Sequence, residues 1–277
     1  MEKFTLIGHP LGHSISPLIH NMLFKFRNRD AEYTLTDITK LSAEVLREFR
    51  GFNVTIPYKK KVMSYLDDIS NVADIGSVNC VNNTNDLLYG YNTDVFGFLK
   101  SIPHNICKGE ILLFGFGGAG IMVANEVEKA KGTLTVVCRE NGTSITEARM
   151  YCRNKCRMTV YSLEEFKPTH FERFNLLVNA TPLGMYPDID ECPATEEVIK
   201  NSDFVFDAVY NPIKTKLLKT ATKFSVPNVS GLKMLIYQAA QSHQIWHNDT
   251  YTETELYRIQ TECEKALSNF QNPALNV

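Results

Sequence analysis

The chain has 277 residues, and its 29 Lys and Arg against 31 Asp and Glu give a formal net charge of −2. This balance argues against a surface that binds nucleic acid or an anionic membrane. Hydrophobic residues make up 44% of the chain, enough for a buried core in one large or two ordinary domains. No apolar run approaches the roughly 20 residues of a membrane span, and the first residues lack the pattern of a secretion signal. The seven cysteines include no Cys-x-x-Cys pair, so we expect a protein of the reducing cytoplasm.

Strands and helices are predicted to alternate through the first part of the chain. Short runs rich in apolar residues predict strands at Phe4–Ile7, Ala31–Ile38 and Phe52–Ile56. Helical patterns follow them, beginning at Ser16-Pro17, spanning Leu41–Arg50, and passing through Val62 and Leu66. Ser16 is a suitable N-cap and Pro17 a suitable first helical residue. This rhythm predicts an α/β unit with a parallel or mostly parallel sheet.

A second unit is predicted to begin near residue 101, where the segment SIPHNICKGE is polar and interrupted by proline. Short apolar runs predict its strands at Ile111–Phe114, Thr133–Val137, Asn175–Val178 and Phe204–Asp207. A helical pattern follows the first of these strands, and a later helix is predicted from about Leu232 to Trp246.

The segment GFGGAG lies between the first strand of this unit and its helix. It comprises Gly115, Phe116, Gly117, Gly118, Ala119 and Gly120 and matches the spacing G-x-G-x-x-G. That spacing alone is weak, but a strand before it and a helix and strand after it are the context of a dinucleotide-binding site. We expect Gly115 to permit the tight turn, Gly117 to let a pyrophosphate approach the backbone, and Gly120 to allow close packing of the helix. The alternative is an ordinary glycine-rich turn.

The choice of cofactor depends on the end of the next strand, which reads Val136-Val137-Cys138-Arg139-Glu140. An acid at this position usually holds the ribose hydroxyls of NAD, whereas an arginine accommodates the 2′-phosphate of NADP. Arg139 therefore favours NADP over NAD. Glu140 could oppose a phosphate by like-charge repulsion, and Arg139 could instead be an ordinary solvated loop residue, so the choice stays open at this point.

Polar residues in the first unit are expected to gather where its loops converge. Ser14 and Ser16 supply two hydroxyls at a helix start, a place suited to an anion such as a carboxylate. Asn53 and Thr55 share one face of the predicted strand Phe52–Ile56, and Asn79 and Asp94 lie in two later loops. Each residue also has an ordinary interpretation, such as a helix cap for Ser16 and a turn residue for Asn79.

Eight segments, taken in order, resemble the shikimate dehydrogenase family. They are IGHPLGHSISPLIHN, GFNVTIPYK, GSVN, GYNTDVFG, GFGGAG, NATPLGM, DAVYNPIKTKLL and GLKMLIYQAAQSHQIW. Together they span nearly the whole chain. The resemblance implies an N-terminal α/β domain that binds shikimate, formed by residues 1–101 with 237–277, and a Rossmann-like NADP-binding domain of residues 102–236. It also implies a small-molecule substrate and the reversible reduction of 3-dehydroshikimate to shikimate.

The resemblance also assigns roles to individual residues. Ser14 and Ser16 would hold the substrate carboxylate, and Asn79 and Asp94 its ring hydroxyls. The remaining assigned residues of the substrate pocket are Thr55 and Gln238.

Lys59 is the lysine of the family's Asn-Val-Thr-x-Pro-x-Lys motif. With Asp94 it would form a pair suited to proton transfer at a carbon that loses hydride. A plain salt bridge between the two residues is the alternative. Lys60 and Lys61, which extend the run of lysines, are expected to be solvated.

One segment departs from the family pattern, because many NADP-dependent members read Asn-Arg-Thr where this chain reads Cys138-Arg139-Glu140. Two alternatives therefore remain, a quinate/shikimate or aminoshikimate dehydrogenase that uses NAD and, in another class, a regulatory module that senses the cofactor without turnover. The module would not need Lys59 together with Asp94. No metal site is predicted, although His243 and His247 are four residues apart, and we expect a monomer or homodimer.

Overall fold

The computed structural model describes residues 1–12, 14–73, 75–140, 142–167 and 173–271. The chain divides into two compact units, one formed by Met1–Phe98 with Leu235–Lys265 and the other by Leu99–Met234 with the chain from Ala266 onward. The sequence predicted slightly different boundaries, with residues 1–101 and 237–277 in the first domain and residues 102–236 in the second. Their assignment to shikimate and to NADP stays a prediction.

The first unit contains a five-stranded mixed sheet in the order β2-β1-β3-β4-β5. The strands are β1 (Glu2–Gly8), β2 (Ala31–Asp37), β3 (Gly51–Val54), β4 (Cys80–Thr84) and β5 (Leu87–Tyr91). The strand β1 runs parallel to β2 and β3, whereas β4 is antiparallel to both β3 and β5. The β4–β5 hairpin was not predicted. Its two-residue turn places Asn85 and Asp86 at φ values of 53° and 61°, a conformation that Asn and Asp tolerate well.

This strand order determines where the polar loops lie. The C-terminal ends of β1, β3 and β5 share one edge of the sheet with the N-terminal end of β4, because β4 alone runs in the opposite direction. Ser14 and Ser16 follow β1, Lys59 follows β3, Asn79 precedes β4, and Asp94 follows β5. Strands that are far apart in the sequence thus bring these loops to one edge.

The helices of this region match the predicted helical patterns only in part. They are α1 (Ser16–Phe26), α2 (Ala43–Arg47), the 3₁₀ helix Lys61–Tyr65 and α3 (Asp94–Ser101). The helical pattern through Val62 and Leu66 was wrongly interpreted as a full helix. Leu66 is extended, and the backbone N–H of Asp67 bonds the carbonyl oxygen of Leu88 at 2.9 Å, so pairing with β5 ends the helical turn.

The predicted cap of α1 was also wrong. Ile15 occupies the N-cap position without a side-chain cap, and Ser16 is the first helical residue. The hydroxyl of Ser14 accepts the backbone N–H of Ser16 at 3.3 Å, so a hydroxyl two residues earlier satisfies that donor.

The second unit contains a six-stranded parallel sheet in the order β11-β10-β9-β6-β7-β8. Its strands are β6 (Glu110–Phe114), β7 (Thr133–Cys138), β8 (Met158–Ser162), β9 (Leu176–Asn179), β10 (Val205–Asp207) and β11 (Asn228–Ser230). Its helices are α4 (Gly118–Ala130), α5 (Thr143–Cys152), α6 (Glu196–Lys200) and α7 (Lys216–Lys223). With β6 counted first, this is the doubly wound order of dinucleotide-binding folds. The predicted α/β class with a Rossmann-like domain is confirmed.

Two long helices, α8 (Gly231–His247) and α9 (Glu253–Gln271), complete the fold. In the first unit α8 packs against the sheet through Trp246, whose indole N–H bonds the carbonyl oxygen of Val81 at 2.9 Å. A side chain on Gly51 would meet that indole ring, so β3 approaches the helix closely there. In the part of the chain that the structure describes, no helix combines the length and apolar character needed to cross a membrane.

Candidate active site

Lys59 and Asp94 form an ion pair at the shared edge of the first sheet. The Lys59 Nζ lies 2.6 Å from Asp94 Oδ2, and the two side chains are 28% and 18% exposed, respectively. The carbonyl oxygen of Lys59 accepts the N–H of Val78 at 2.9 Å, which fixes the loop after β3. Asn92 accepts the N–H groups of Asp94 and Val95 through its side-chain oxygen, at 3.1 and 3.4 Å. The pair is therefore held from both sides while remaining accessible.

Asn79 binds the second oxygen of the same carboxylate. Its Nδ2 donates to Asp94 Oδ1 at 2.9 Å and lies 3.0 Å from the hydroxyl oxygen of Thr93. Its Oδ1 accepts the backbone N–H of Thr93 at 2.6 Å. Asn79 is 3% exposed, so this amide orients Asp94 from the buried side. Both carboxylate oxygens of Asp94 thus accept hydrogen bonds, one from Lys59 and one from Asn79.

Gln238 joins this cluster from α8. Its Oε1 accepts the Thr93 hydroxyl at 3.2 Å and lies 3.4 Å from Asn79 Nδ2, and its Nε2 donates to the carbonyl oxygen of Leu235 at 3.0 Å. These contacts determine which side of the Gln238 amide faces Thr93. The structure therefore brings four predicted residues, Lys59, Asn79, Asp94 and Gln238, into one hydrogen-bonded cluster.

A buried polar layer lies beneath this cluster, and Asn53 is its one member that was expected from the sequence. Asn53 donates through Nδ2 to the carbonyl oxygen of Asn79 and to the Ser242 hydroxyl, each at 3.0 Å, and accepts the Tyr33 hydroxyl at 2.8 Å. Ser242 lies four residues after Gln238 on α8, and Thr93 lies directly before Asp94. Helical spacing and adjacency are the signals that could have identified these two residues.

The other predicted substrate residues are arranged around the ends of β1 and β3. The Ser14 hydroxyl donates to the Ser16 hydroxyl at 3.2 Å, beside the N-terminus of α1, whose helix dipole favours an anion. Thr55 bonds the carbonyl oxygen of Ile7 through its backbone N–H at 2.9 Å. Within the described residues, no hydrogen bond joins these three residues to the Lys59–Asp94 pair. His13, a weaker catalytic candidate next to Ser14, lies outside the described residues.

The glycine loop of the second unit has the geometry of a ligand cradle. Gly115 has a φ of 87°, a region that favours glycine. A Cβ added to Gly117 or Gly118 would meet nothing within 4 Å, so the backbone at the start of α4 faces open space. A Cβ on Gly120 would collide with the carbonyl oxygen of Gly115, so the helix packs directly on the turn.

A cavity of about 390 Å³ adjoins this loop. Its lining residues come from the ends of four strands and the start of α5, and they include Gly115, Gly117, Arg139, Thr143, Ser144 and Ala180. Burial raises the pKa of the Cys138 thiol, which also lines the cavity, to about 11. That thiol stays protonated and adds no charge near neutral pH. A helix start, open backbone and an arginine fit a phosphorylated dinucleotide.

Glu140, the acid expected to oppose a phosphate, lies near a positive partner. Its Oε1 is 3.8 Å from Arg149 Nη1, and Arg149 also bonds Glu165 at 3.2 Å. The side chains of Glu140 and Arg149 are each 47% exposed, so this pairing offsets only part of the acidic charge.

One group of potential metal ligands occurs elsewhere in the first unit, comprising His243, His247 and Asp249. Arg29 already binds both oxygens of Asp249, at 2.7 and 3.1 Å. The ring nitrogens of His243 lie within 3.1 Å of the nearest ring nitrogen of His20 and 2.9 Å of the Tyr251 hydroxyl. Asp249 and His243 thus already have other partners, and the expectation of no metal stays a prediction.

Comparison with known proteins identifies relatives over almost the full length of the chain. A family model described as the shikimate dehydrogenase substrate binding domain matches residues 6–81. The shikimate dehydrogenase (NADP(+)) of Caldanaerobacter subterraneus subsp. tengcongensis is 36% identical over 279 residues, covering 92% of this chain and 95% of the relative.

Solved structures agree with this relationship. A chorismate mutase/shikimate 5-dehydrogenase fusion protein from Clostridium acetobutylicum has a TM-score of 0.85 at 29% identity, covering 97% of this chain and 99% of that chain. Shikimate 5-dehydrogenase from Thermus thermophilus, in complex with NADP(H) and shikimate, has a TM-score of 0.80 at 27% identity and covers 95% and 99%. The chain belongs to the shikimate dehydrogenase family of oxidoreductases.

Proposed function

We propose that this protein catalyses the reversible NADPH-dependent reduction of 3-dehydroshikimate to shikimate. The observation that carries this proposal is the Lys59–Asp94 pair, held by Asn79 at an accessible edge of the first sheet. A regulatory module would need only the cofactor cavity, whereas this charged pair is suited to moving a proton. The related enzymes named above supply the substrate class.

The substrate is held by the polar groups around that edge. Ser14 and Ser16 bind its carboxylate at the positive end of α1. Asn79 and Asp94 bind ring hydroxyls. Thr55 and Gln238 complete the pocket, and the bonds from Gln238 to Thr93 and Leu235 fix the amide before substrate arrives.

Lys59 handles the proton of the reaction. NADPH, when bound, supplies the hydride that the carbonyl carbon accepts. The electron pair of the C=O bond then moves to the oxygen, where the ammonium group of Lys59 stabilises the negative charge and donates a proton. Asp94 keeps the ammonium in place through their 2.6 Å contact. In the opposite direction neutral Lys59 accepts the hydroxyl proton as the carbon loses hydride.

The cofactor is NADP(H), held by the second unit. Gly115, Gly117, Gly118, Ala119 and Gly120 leave the start of α4 open to the pyrophosphate. Arg139, on the cavity lining, is positioned for the 2′-phosphate, and Arg149 reduces the opposing effect of Glu140.

The proposal is tested by the initial rate of nicotinamide reduction with shikimate, measured in parallel with NADP and NAD. Rapid turnover with shikimate and NADP is the expected outcome. Quinate and aminoshikimate should be slower under matched conditions. Preferred turnover of either compound would change the substrate, faster turnover with NAD would change the cofactor, and cofactor binding without turnover of any substrate would support a regulatory module.

A further inference from the structure

A buried carboxylate in the second unit, Asp207, has no role in the mechanism above. It is the last residue of β10 and is fully buried. Its Oδ1 accepts Asn179 Nδ2 at 2.9 Å and the backbone N–H of Val209 at 3.0 Å, and its Oδ2 accepts the Thr215 hydroxyl at 2.6 Å. Burial raises the pKa of Asp207 to about 6, against the effect of these donors. A buried carboxyl group is costly unless its partners are well placed, and these three donors all lie within 3.0 Å of its oxygens.

The clearest consequence of this carboxylate is the orientation of Asn179. An ionised carboxylate only accepts hydrogen bonds, so it requires the NH₂ group of Asn179 to face it. The second N–H of Asn179 reaches the carbonyl oxygen of Leu183 at 3.2 Å. The oxygen of Asn179 then faces Thr181 and accepts both its backbone N–H, at 3.0 Å, and its hydroxyl, at 2.6 Å. All hydrogen-bonding capacity of the Asn179 amide is used in this arrangement.

The segment bound by Asn179 is a wall of the cofactor cavity. Residues 180–183 all line that cavity. A Cβ on Gly115 would lie 2.7 Å from the methyl carbon of Thr181 and 3.0 Å from the carbonyl oxygen of Ala180. The segment therefore packs against the first glycine of the glycine loop, and a shift of the segment would change the cavity at that point.

The opposite edge of the same two strands carries a similar pair of residues, away from the cavity beside the glycine loop. Asn175 precedes β9 and donates through Nδ2 to Asp203 Oδ2 at 2.8 Å, before β10 begins. Asp203 is partly exposed and also pairs with Arg173. Within the described residues, Asp207 forms no salt bridge, and neither Asn175 nor Asp203 lines the cavity beside the glycine loop. The Asn175–Asp203 pair is thus an internal control of matching chemistry.

We propose that Asp207 is a positioning residue for the cofactor, which acts by orienting Asn179 so that residues 180–183 form a fixed wall of the cavity. This inference rests on the proposed function, because it requires the cavity to hold the dinucleotide. The wall is separate from Arg139, so Asp207 should affect NADPH and NADH equally.

The test compares dissociation constants for NADPH and for NADH, measured by nicotinamide fluorescence, with circular dichroism to verify folding. Asp207→Ala removes the acceptor for Asn179, and we expect about tenfold weaker binding of both cofactors. Asp207→Asn keeps a carbonyl oxygen for Asn179 and Val209, so its affinity should stay within about twofold of the wild type. Asp203→Ala should bind as the wild type does.

A second variant covers the case in which Asp207→Ala does not fold. Thr181→Val removes one bond to Asn179 at the cavity end without exposing a buried carboxylate, and should weaken both cofactors about threefold. Unchanged cofactor binding in Asp207→Ala would overturn this inference but not the proposed function. If Asp207→Ala does not fold, unchanged binding in Thr181→Val would do the same. Equal weakening in Asp203→Ala would also overturn the inference. A folded wild type that binds neither cofactor would overturn the proposed function as well.

Discussion

The two candidate sites of this chain are built by opposite means. In the first unit, Lys59, Asn79, Asp94 and Gln238 are placed by hydrogen bonds between side chains. In the second unit, the glycine loop leaves space where side chains are missing, and the backbone at the start of α4 faces open space. Truncation of a side chain should therefore impair the first site, whereas a single methyl group added to a glycine should impair the second.

The largest expected effect is on turnover in the first site. Lys59→Ala removes the proposed proton donor, and we expect turnover to fall by about 10³-fold. Steady-state kinetics with shikimate and NADP will measure it. Lys60→Ala is the matched control, because the neighbouring lysine is exposed and should keep wild-type turnover. Wild-type turnover in folded Lys59→Ala would remove this residue from the mechanism.

The complementary change adds a methyl group to the second site. Gly117 has an ordinary φ of −86° and open space around its Cβ position, so Gly117→Ala should fold normally. The methyl group would occupy the approach of the pyrophosphate, and we expect about 100-fold weaker NADPH binding by fluorescence titration. Gly120→Ala is the contrasting variant, because its methyl group would meet the Gly115 carbonyl oxygen and lower the thermal midpoint. Normal NADPH affinity in Gly117→Ala would contradict the proposed position of the pyrophosphate.

The two carboxylates at the sheet edges differ as well, since Asp94 has an ammonium partner and Asp207 has none among the described residues. The pKa of Asp207 is raised from 3.8 to about 6. Because folding raises this pKa, protonation of Asp207 stabilises the native state. This contribution to the free energy of unfolding is fully present below about pH 4 and is lost as pH rises through about 6. Chemical denaturation measures the free energy of unfolding of wild type and of Asp207→Asn at several values from about pH 4 to pH 7. As pH rises over this range, we expect the variant to gain roughly 2 to 3 kcal/mol relative to the wild type. A difference that does not change with pH would contradict this ionisation.

The smallest expected effect concerns cofactor choice. Arg139→Ala should weaken NADPH binding by about fivefold and leave NADH binding nearly unchanged, because only NADPH carries the 2′-phosphate. Glu140→Gln should change the preference slightly in the opposite direction. Titration of both cofactors against both variants will measure the two shifts. Equal weakening of NADPH and NADH by Arg139→Ala would exclude a specific contact with the phosphate.

The sequence predicted those parts of the fold that carry a local signal. The buried strand β6 contains the continuous apolar run Ile111–Phe114, β7 is rich in apolar and β-branched residues, and the structure contains both. The strand β4 was missed because its sequence, CVNNT, looks polar, although Val81 and Asn83 are both buried. Asn83 is accommodated there because its amide bonds the carbonyl oxygen of Phe49 at 3.0 Å, a contact between segments that are distant in sequence.

The candidate site likewise contains residues that the sequence identified and residues that it did not. The motif resemblance led to Lys59 and Asp94, and the structure places them in contact, although their catalytic roles stay predictions. Thr93 and Ser242 were not identified, since adjacency to Asp94 and helical spacing from Gln238 do not by themselves show that a hydroxyl is buried in the site. Its importance depends on contacts across α8 and the sheet, which form only when the chain folds.

The antiparallel β4–β5 hairpin has a practical consequence for engineering. A parallel connection would need a long crossover to return to the same sheet edge, whereas the hairpin begins beside Asn79 and ends shortly before Asp94, with only the Asn85-Asp86 turn at the far edge. Both of its functional ends are thus separated from an exposed turn by the length of two strands. That turn is a suitable place to insert an affinity tag or a fluorophore, or to open the chain in a circular permutant, while the edge that carries Lys59 and Asp94 stays intact.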